Sequence, residues 1–138
     1  MNYRDATEIE SNLVLEEAKK YIGTDYMKIG QCTGLVCKAI QAVNVHFPSN
    51  GPVSVIAAND GLRLLSEKES PRAGDVIVWR GNHMGIYDPN PPKTEDQRNT
   101  VLSAMGKPGG TKNKGVAYGQ IDWFYPKPPV YMRVRVPN

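Results

Sequence analysis

The chain has 138 residues, a net charge of +3, 40% hydrophobic and 22% charged residues. This is enough for one domain with a core of its own and too little for two, so residues 1–138 are read as a single domain. So mild a charge gives no argument for nucleic acid, and the apolar runs between the 11 prolines and 13 glycines argue against disorder.

Residues 5–22 read as an amphipathic helix, with Ile9, Leu13, Val14, Ala18, Tyr21 and Ile22 on one stripe. Its acids come early and Lys19-Lys20 late, as a helix dipole favours, and Gly23 is a stop. The polar start, Met1 to Asp5, carries no apolar signal region, and no stretch approaches the ~20 apolar residues of a membrane span. A second, strongly apolar helix is expected from Cys32 to about Val43, with Leu35, Val36, Ala39, Ile40 and Val43 on its face, central and buried. Pro48 to Pro52 breaks the chain. Residues 53–66 read as a third helix that Asn59-Asp60-Gly61 could split.

From Pro71-Arg72-Ala73-Gly74-Asp75 onward the period changes to that of strands. Val76 to Trp79 and Met84 to Tyr87 are two strands joined by Arg80-Gly81-Asn82. Asp88 to Asn99 is a polar loop, Thr100 to Ala104 a third strand, and Val116 to Ile121 a fourth. The run Gly106-Lys107-Pro108-Gly109-Gly110-Thr111 lacks the spacing of a phosphate loop and reads as a mobile turn near the site. Trp123-Phe124-Tyr125 either rims a groove or packs as a closing segment. Val130 to Val136 alternates as an edge or closing strand. Helices first and antiparallel strands second make an α+β domain, with the Cys32 helix set against one face of the sheet.

The chemistry concentrates in two runs. Gly30-Gln31-Cys32-Thr33-Gly34-Leu35-Val36 places a thiol at the start of a helix, and His83-Met84-Gly85-Ile86-Tyr87 places an imidazole at the start of a strand. The two groups are the minimum for a cysteine nucleophile with a histidine base. A helix N-terminus lowers a thiol pKa and its free N–H groups can hold an oxyanion. Cys37 lies too far into the helix for this and reads as core. Five residues turn a helix by ~500°, so Cys32 and Cys37 point apart and are expected as free thiols. Gly30 and Gly34 would let a substrate backbone come close. Asp75 reads as a turn cap, and His46 as structural or exposed. Cys32, Cys37, His46 and His83 match no zinc spacing, and neither metal nor cofactor is expected.

Gln31-Cys32-Thr33-Gly34-Leu35-Val36 resembles the Asp-Cys-Ser-Gly-Leu-Val signature of the NlpC-type cysteine peptidases, relatives of papain. Pro71 to Trp79 is similar to that family's Pro-Gly-Asp-Leu-Val-Phe turn and strand, and His83 to Tyr87 to its His-Val-Gly-Ile-Tyr strand. The three motifs come in the family's order across roughly residues 15–120. The resemblance implies a papain-like fold and a cysteine amidase with Cys32 as nucleophile and His83 as base. Its substrates would be peptidoglycan stem peptides. It further implies a substrate-binding role for Tyr26, the aromatic before the Cys helix, and for Gln31 and Gly34 beside the nucleophile. Gln31 departs from the usual Asp. The third catalytic position, usually His, Asn or Gln, falls on Ser103, leaving a serine, a backbone carbonyl or a water to orient the imidazole. Asn82 would point to the other face of its strand, a poor partner.

Small amidases of this type serve as antibacterial effectors, made in the cytoplasm, delivered to the periplasm or cell wall and neutralised by an immunity protein. The absence of a signal region in this sequence would then call for delivery by another route, or for a signal segment outside the given residues. Two other readings keep the fold: a non-catalytic module that binds cell wall or a partner, and a toxin domain that cuts or deamidates a host protein.

Overall fold

The computed structural model describes residues 1–106 and 115–138. The glycine- and lysine-rich turn expected beside the site falls largely on 107–114, outside the described residues. The chain order is β1 (Tyr3–Asp5), α1 (Glu8–Lys19), α2 (Tyr26–Ile29), α3 (Gln31–Gln41), α4 (Val53–Ala57), β2 (Leu62–Leu64), β3 (Val76–Trp79), β4 (His83–Tyr87), β5 (Val101–Met105), β6 (Gly115–Gly119), a 3-10 turn (Ile121–Trp123) and β7 (Val130–Pro137).

Helix α1 starts three residues later than the apolar pattern suggests, because a capping box decides it. Thr7 Oγ1 accepts from Glu10 N at 3.1 Å, and Glu10 Oε1 accepts from Thr7 N at 2.9 Å. The buried stripe is Ser11, Val14, Leu15 and Ala18, an i, i+3, i+4, i+7 set. Ile9, Leu13 and Ile22, expected on that stripe, are exposed. Residues 3–5 form an unexpected strand, since their partner lies at the far end of the chain: Tyr3 pairs with Pro137.

The helix expected over 53–66 is corrected to a short α4 followed by strand β2. Asn59 Oδ1 accepts from Gly61 N at 2.7 Å and turns the chain, after which Leu62–Leu64 pairs antiparallel with Met132–Val134. Helix α3 is buried on nearly every side; Lys38 and Gln41 alone among residues 32–41 keep part of their surface.

The sheet is antiparallel, in the order β1-β7-β3-β4-β5-β6, with β2 also on β7. Of the two expectations for the last strand, an edge or a closing strand, the edge is not met: β7 is an interior strand, because its eight residues serve β3, β2 and β1 in turn. One sheet face (Val76, Val78, Met84, Ile86, Leu102, Ala104) joins α1 and α3 in the main core. The other carries a smaller cluster of Ile77, Trp79 and Val101, covered by Phe124, Ile121 and Tyr131.

Asp75 does cap its turn, accepting from Arg72 N at 2.8 Å. It also does more: its fully buried carboxylate accepts from Arg133 Nε at 2.7 Å and Nη2 at 3.1 Å, tying the turn before β3 to β7. No helix is long and apolar enough to cross a membrane among the described residues.

Candidate active site

The thiol of Cys32 stands at the head of α3 because two left-handed residues break α2 from α3. Gly30 has φ +90° and ends α2; Gln31 follows at φ +67°, a conformation that costs a non-glycine residue about 1 kcal/mol or more. The chain turns sharply there, and a new helix N-terminus forms with no side-chain cap. Backbone N–H groups of Cys32 and Thr33, together with that of Met84 at the start of β4, therefore face the sulfur. Burial pushes the Cys32 thiol above its ordinary pKa, and these three N–H groups pull against it.

Gly34 carries no side chain for a packing reason. A Cβ there would collide with the Ile29 carbonyl, and one on Gly30 would stand 2.7 Å from Asn50 Nδ2. The space at both glycines is filled by the protein itself, where an approaching substrate backbone was expected. Asn50 pins the helix head: its Nδ2 donates to Gly30 O at 3.1 Å, and its Oδ1 accepts from Thr33 Oγ1 at 2.6 Å and Gly51 N at 2.8 Å. In sequence, Asn50-Gly51-Pro52 signals only a turn, so this role is invisible there.

His83 and Met84 leave β4 on opposite faces. Met84 enters the main core toward α3, whereas the imidazole lies on the other face with Trp79 and Phe124. Ser103, fully buried on the neighbouring β5, places its Oγ 3.0 Å from His83 Nε2. Gly85 makes this possible: a Cβ there would come within 2.9 Å of Ser103 Cβ. The Phe124 ring stacks on the imidazole at 4.1 Å and 13°. Asn82, which as expected does not meet the imidazole, ties that segment down by donating to Tyr125 O at 2.6 Å. Of the two alternatives for the Trp123-Phe124-Tyr125 run, Phe124 shows the packed one, covering Trp79 and the imidazole.

Burial alone takes His83 down to about 4 from 6.5. The imidazole is therefore neutral at pH 7, and among the described residues no hydrogen bond joins it to Cys32. A depressed histidine pKa has a definite sign in linkage: the unfolded chain binds the proton first. Its contribution to stability is complete above pH 6.5 and is lost as pH falls toward 4, about 3 kcal/mol in all. Urea midpoints followed from pH 7 to 4 should show this loss, and His83→Gln should flatten the slope in that window; an unchanged slope would refute the assignment.

The remaining expected residues lie close by. Tyr26 is raised above its ordinary pKa by burial and then by the nearby Cys32 sulfur; its hydroxyl donates to Gln31 Oε1 at 3.5 Å. Gln31 is exposed and reaches back over α2 to Met27. Cys37 is fully buried, with its thiol pushed up to about 11, and both cysteines are free. His46 is exposed. Among the described residues no cluster of His, Cys, Asp or Glu could hold a metal ion. No protein-family model matches the chain, and no curated protein or solved structure matches it.

Proposed function

We propose that this chain is a papain-like cysteine amidase of the NlpC type that cleaves amide bonds in peptidoglycan stem peptides. The observation that carries the reading is the contact between His83 Nε2 and Ser103 Oγ on adjacent strands, with the Cys32 thiol against the N–H of the next residue, Met84. With Nε2–H donating to Ser103, the lone pair sits on Nδ1, the nitrogen left to act as base. Nδ1 takes the Cys32 proton as sulfur attacks the carbonyl carbon, a transfer that the resting structure does not yet bridge with a hydrogen bond. The uncapped N–H groups at the head of α3 hold the oxyanion. The C–N bond then breaks, the amine leaves with the proton from His83, and water hydrolyses the thioester. Mass spectrometry of peptidoglycan digests tests this: fragments released by the parent protein and absent with Cys32→Ala support it, and none from a folded parent protein overturns it. An antibacterial effector held in check by an immunity protein is the biological role that fits such an activity.

Ser103 acts through His83 in this scheme, as a positioning residue. Ser103→Ala should lower kcat about tenfold or more with KM little changed, by releasing the imidazole from one tautomer and orientation. Equal kcat in steady-state assays would return the third position to a backbone carbonyl or a water.

A second reading is favoured by the two shifted pKa values. A raised thiol and an imidazole held at about 4 describe a neutral, unpaired resting state, which a binding module of the same fold would also show. Alkylation separates the two. An amidase should modify Cys32 well ahead of Cys37 at neutral pH, whereas equal, slow modification of both favours the binding module.

A further inference from the structure

We propose that Arg80 reads a free carboxylate on the stem peptide, in a cleft between α4 and the β3–β4 turn, on the strand that pairs with the His83 strand; this rests on the amidase reading. Two adjoining hollows of 170 and 270 Å³ share Ala57, Val78 and Arg80. One is completed by Leu64, Val130 and Met132, the other by Ser54, Ala58 and Gly81. Each is smaller than the ~300 Å³ at which pockets for drug-sized ligands begin, a size for one or two short side chains.

Both walls are tied to the reacting groups. Val78 pairs across the ladder with Met84, whose N–H faces the Cys32 sulfur, and Arg80 lies three residues before His83. The opposite wall, α4, begins just after Asn50, which holds the head of α3 through Gly30 and Thr33. Substrate stretched across Cys32 toward the turn would therefore run between these walls.

The charge within the cleft selects the occupant. Arg80 is exposed and makes no ion pair among the described residues, and no acid lines either hollow. A guanidinium is a fork that matches a carboxylate, and the apolar walls around it suit methyl-sized side chains. Methyl side chains interspersed with free carboxylates are the chemistry of a stem peptide. A neutral or cationic peptide would leave the guanidinium without a partner.

The test compares a synthetic stem peptide bearing free carboxylates with the same peptide carrying amidated carboxylates. The parent protein should prefer the free acid about tenfold in kcat/KM, mainly through KM, and Arg80→Gln should erase that preference while melting at the parent temperature. Equal cleavage of both peptides by the parent protein, or a preference that survives Arg80→Gln, overturns the proposal. If neither peptide is cleaved, calorimetry with Cys32→Ala separates the two ideas. Tighter binding of the free acid, lost when Arg80→Gln is added, keeps the cleft and discards the amidase. Equal or absent binding discards the cleft as well.

Discussion

Cys32→Ala is expected to abolish amide cleavage, with kcat/KM falling at least about 10⁴-fold, and His83→Ala should do the same. The two losses should not add in the double variant, because thiol and imidazole would act as one unit in the proposed attack. Neither change should unfold the protein. Cys32 sits at a helix start where alanine is compatible with the backbone, and His83→Ala strands no charge, since the imidazole is neutral at pH 7. Cys37→Ala is the control: that thiol is fully buried in the core, away from the helix head, and activity should remain. The measurement is fragment release from peptidoglycan by the parent protein and the four variants at matched concentration, with circular dichroism to show that each is folded. Cleavage by a folded Cys32→Ala protein would rule out the thiol as nucleophile.

The largest stability effect is expected at Asp75, a residue with no part in the chemistry. Its carboxylate is fully buried and accepts two hydrogen bonds from Arg133 and one from the Arg72 backbone. Asp75→Ala leaves the guanidinium of Arg133 in the interior without its main partner, and Glu69, at 3.9 Å, is too distant to replace it. Breaking a buried pair in this way costs about 3–5 kcal/mol, a large share of the roughly 5–15 kcal/mol that holds a domain folded. Changing both members, Asp75→Ala with Arg133→Met, should recover a good part of that loss, since no buried charge is then stranded. The Arg72 N–H still loses its acceptor, so recovery stays incomplete by about 1 kcal/mol. Urea unfolding of the three variants measures this, and a double variant no more stable than Asp75→Ala would show that the pair's worth lies elsewhere.

Local chemistry made several elements readable in the sequence. The apolar density of residues 32–43 marked α3 as the buried helix, and the change to a period of two at Val76 marked the β3–β4 hairpin around Arg80-Gly81-Asn82. Asn59-Asp60-Gly61 carried the break between α4 and β2, though the leucines after it also fitted a helix, and pairing with β7 decided against that. Cys32 and His83 stood out by residue type and by position at element starts.

Contacts distant in sequence were a different matter. A periodic pattern describes one segment against an unspecified interior, so it cannot say how many partners β7 has or that Tyr3 will meet Pro137. It cannot show that Asp75 waits for Arg133, that Asn50 clamps the head of α3, or that Phe124 covers the imidazole. Ser103 could be named only through the family resemblance, and its 3.0 Å approach to His83 depends on the register of β4 and β5 and on the side chain that Gly85 lacks. The sequence by itself determined which groups are chemically able and where helices and strands begin, because those depend on neighbours a few residues away. Distances, burial and the resulting protonation states were decided by the tertiary structure alone, because they depend on which segments the core brings together.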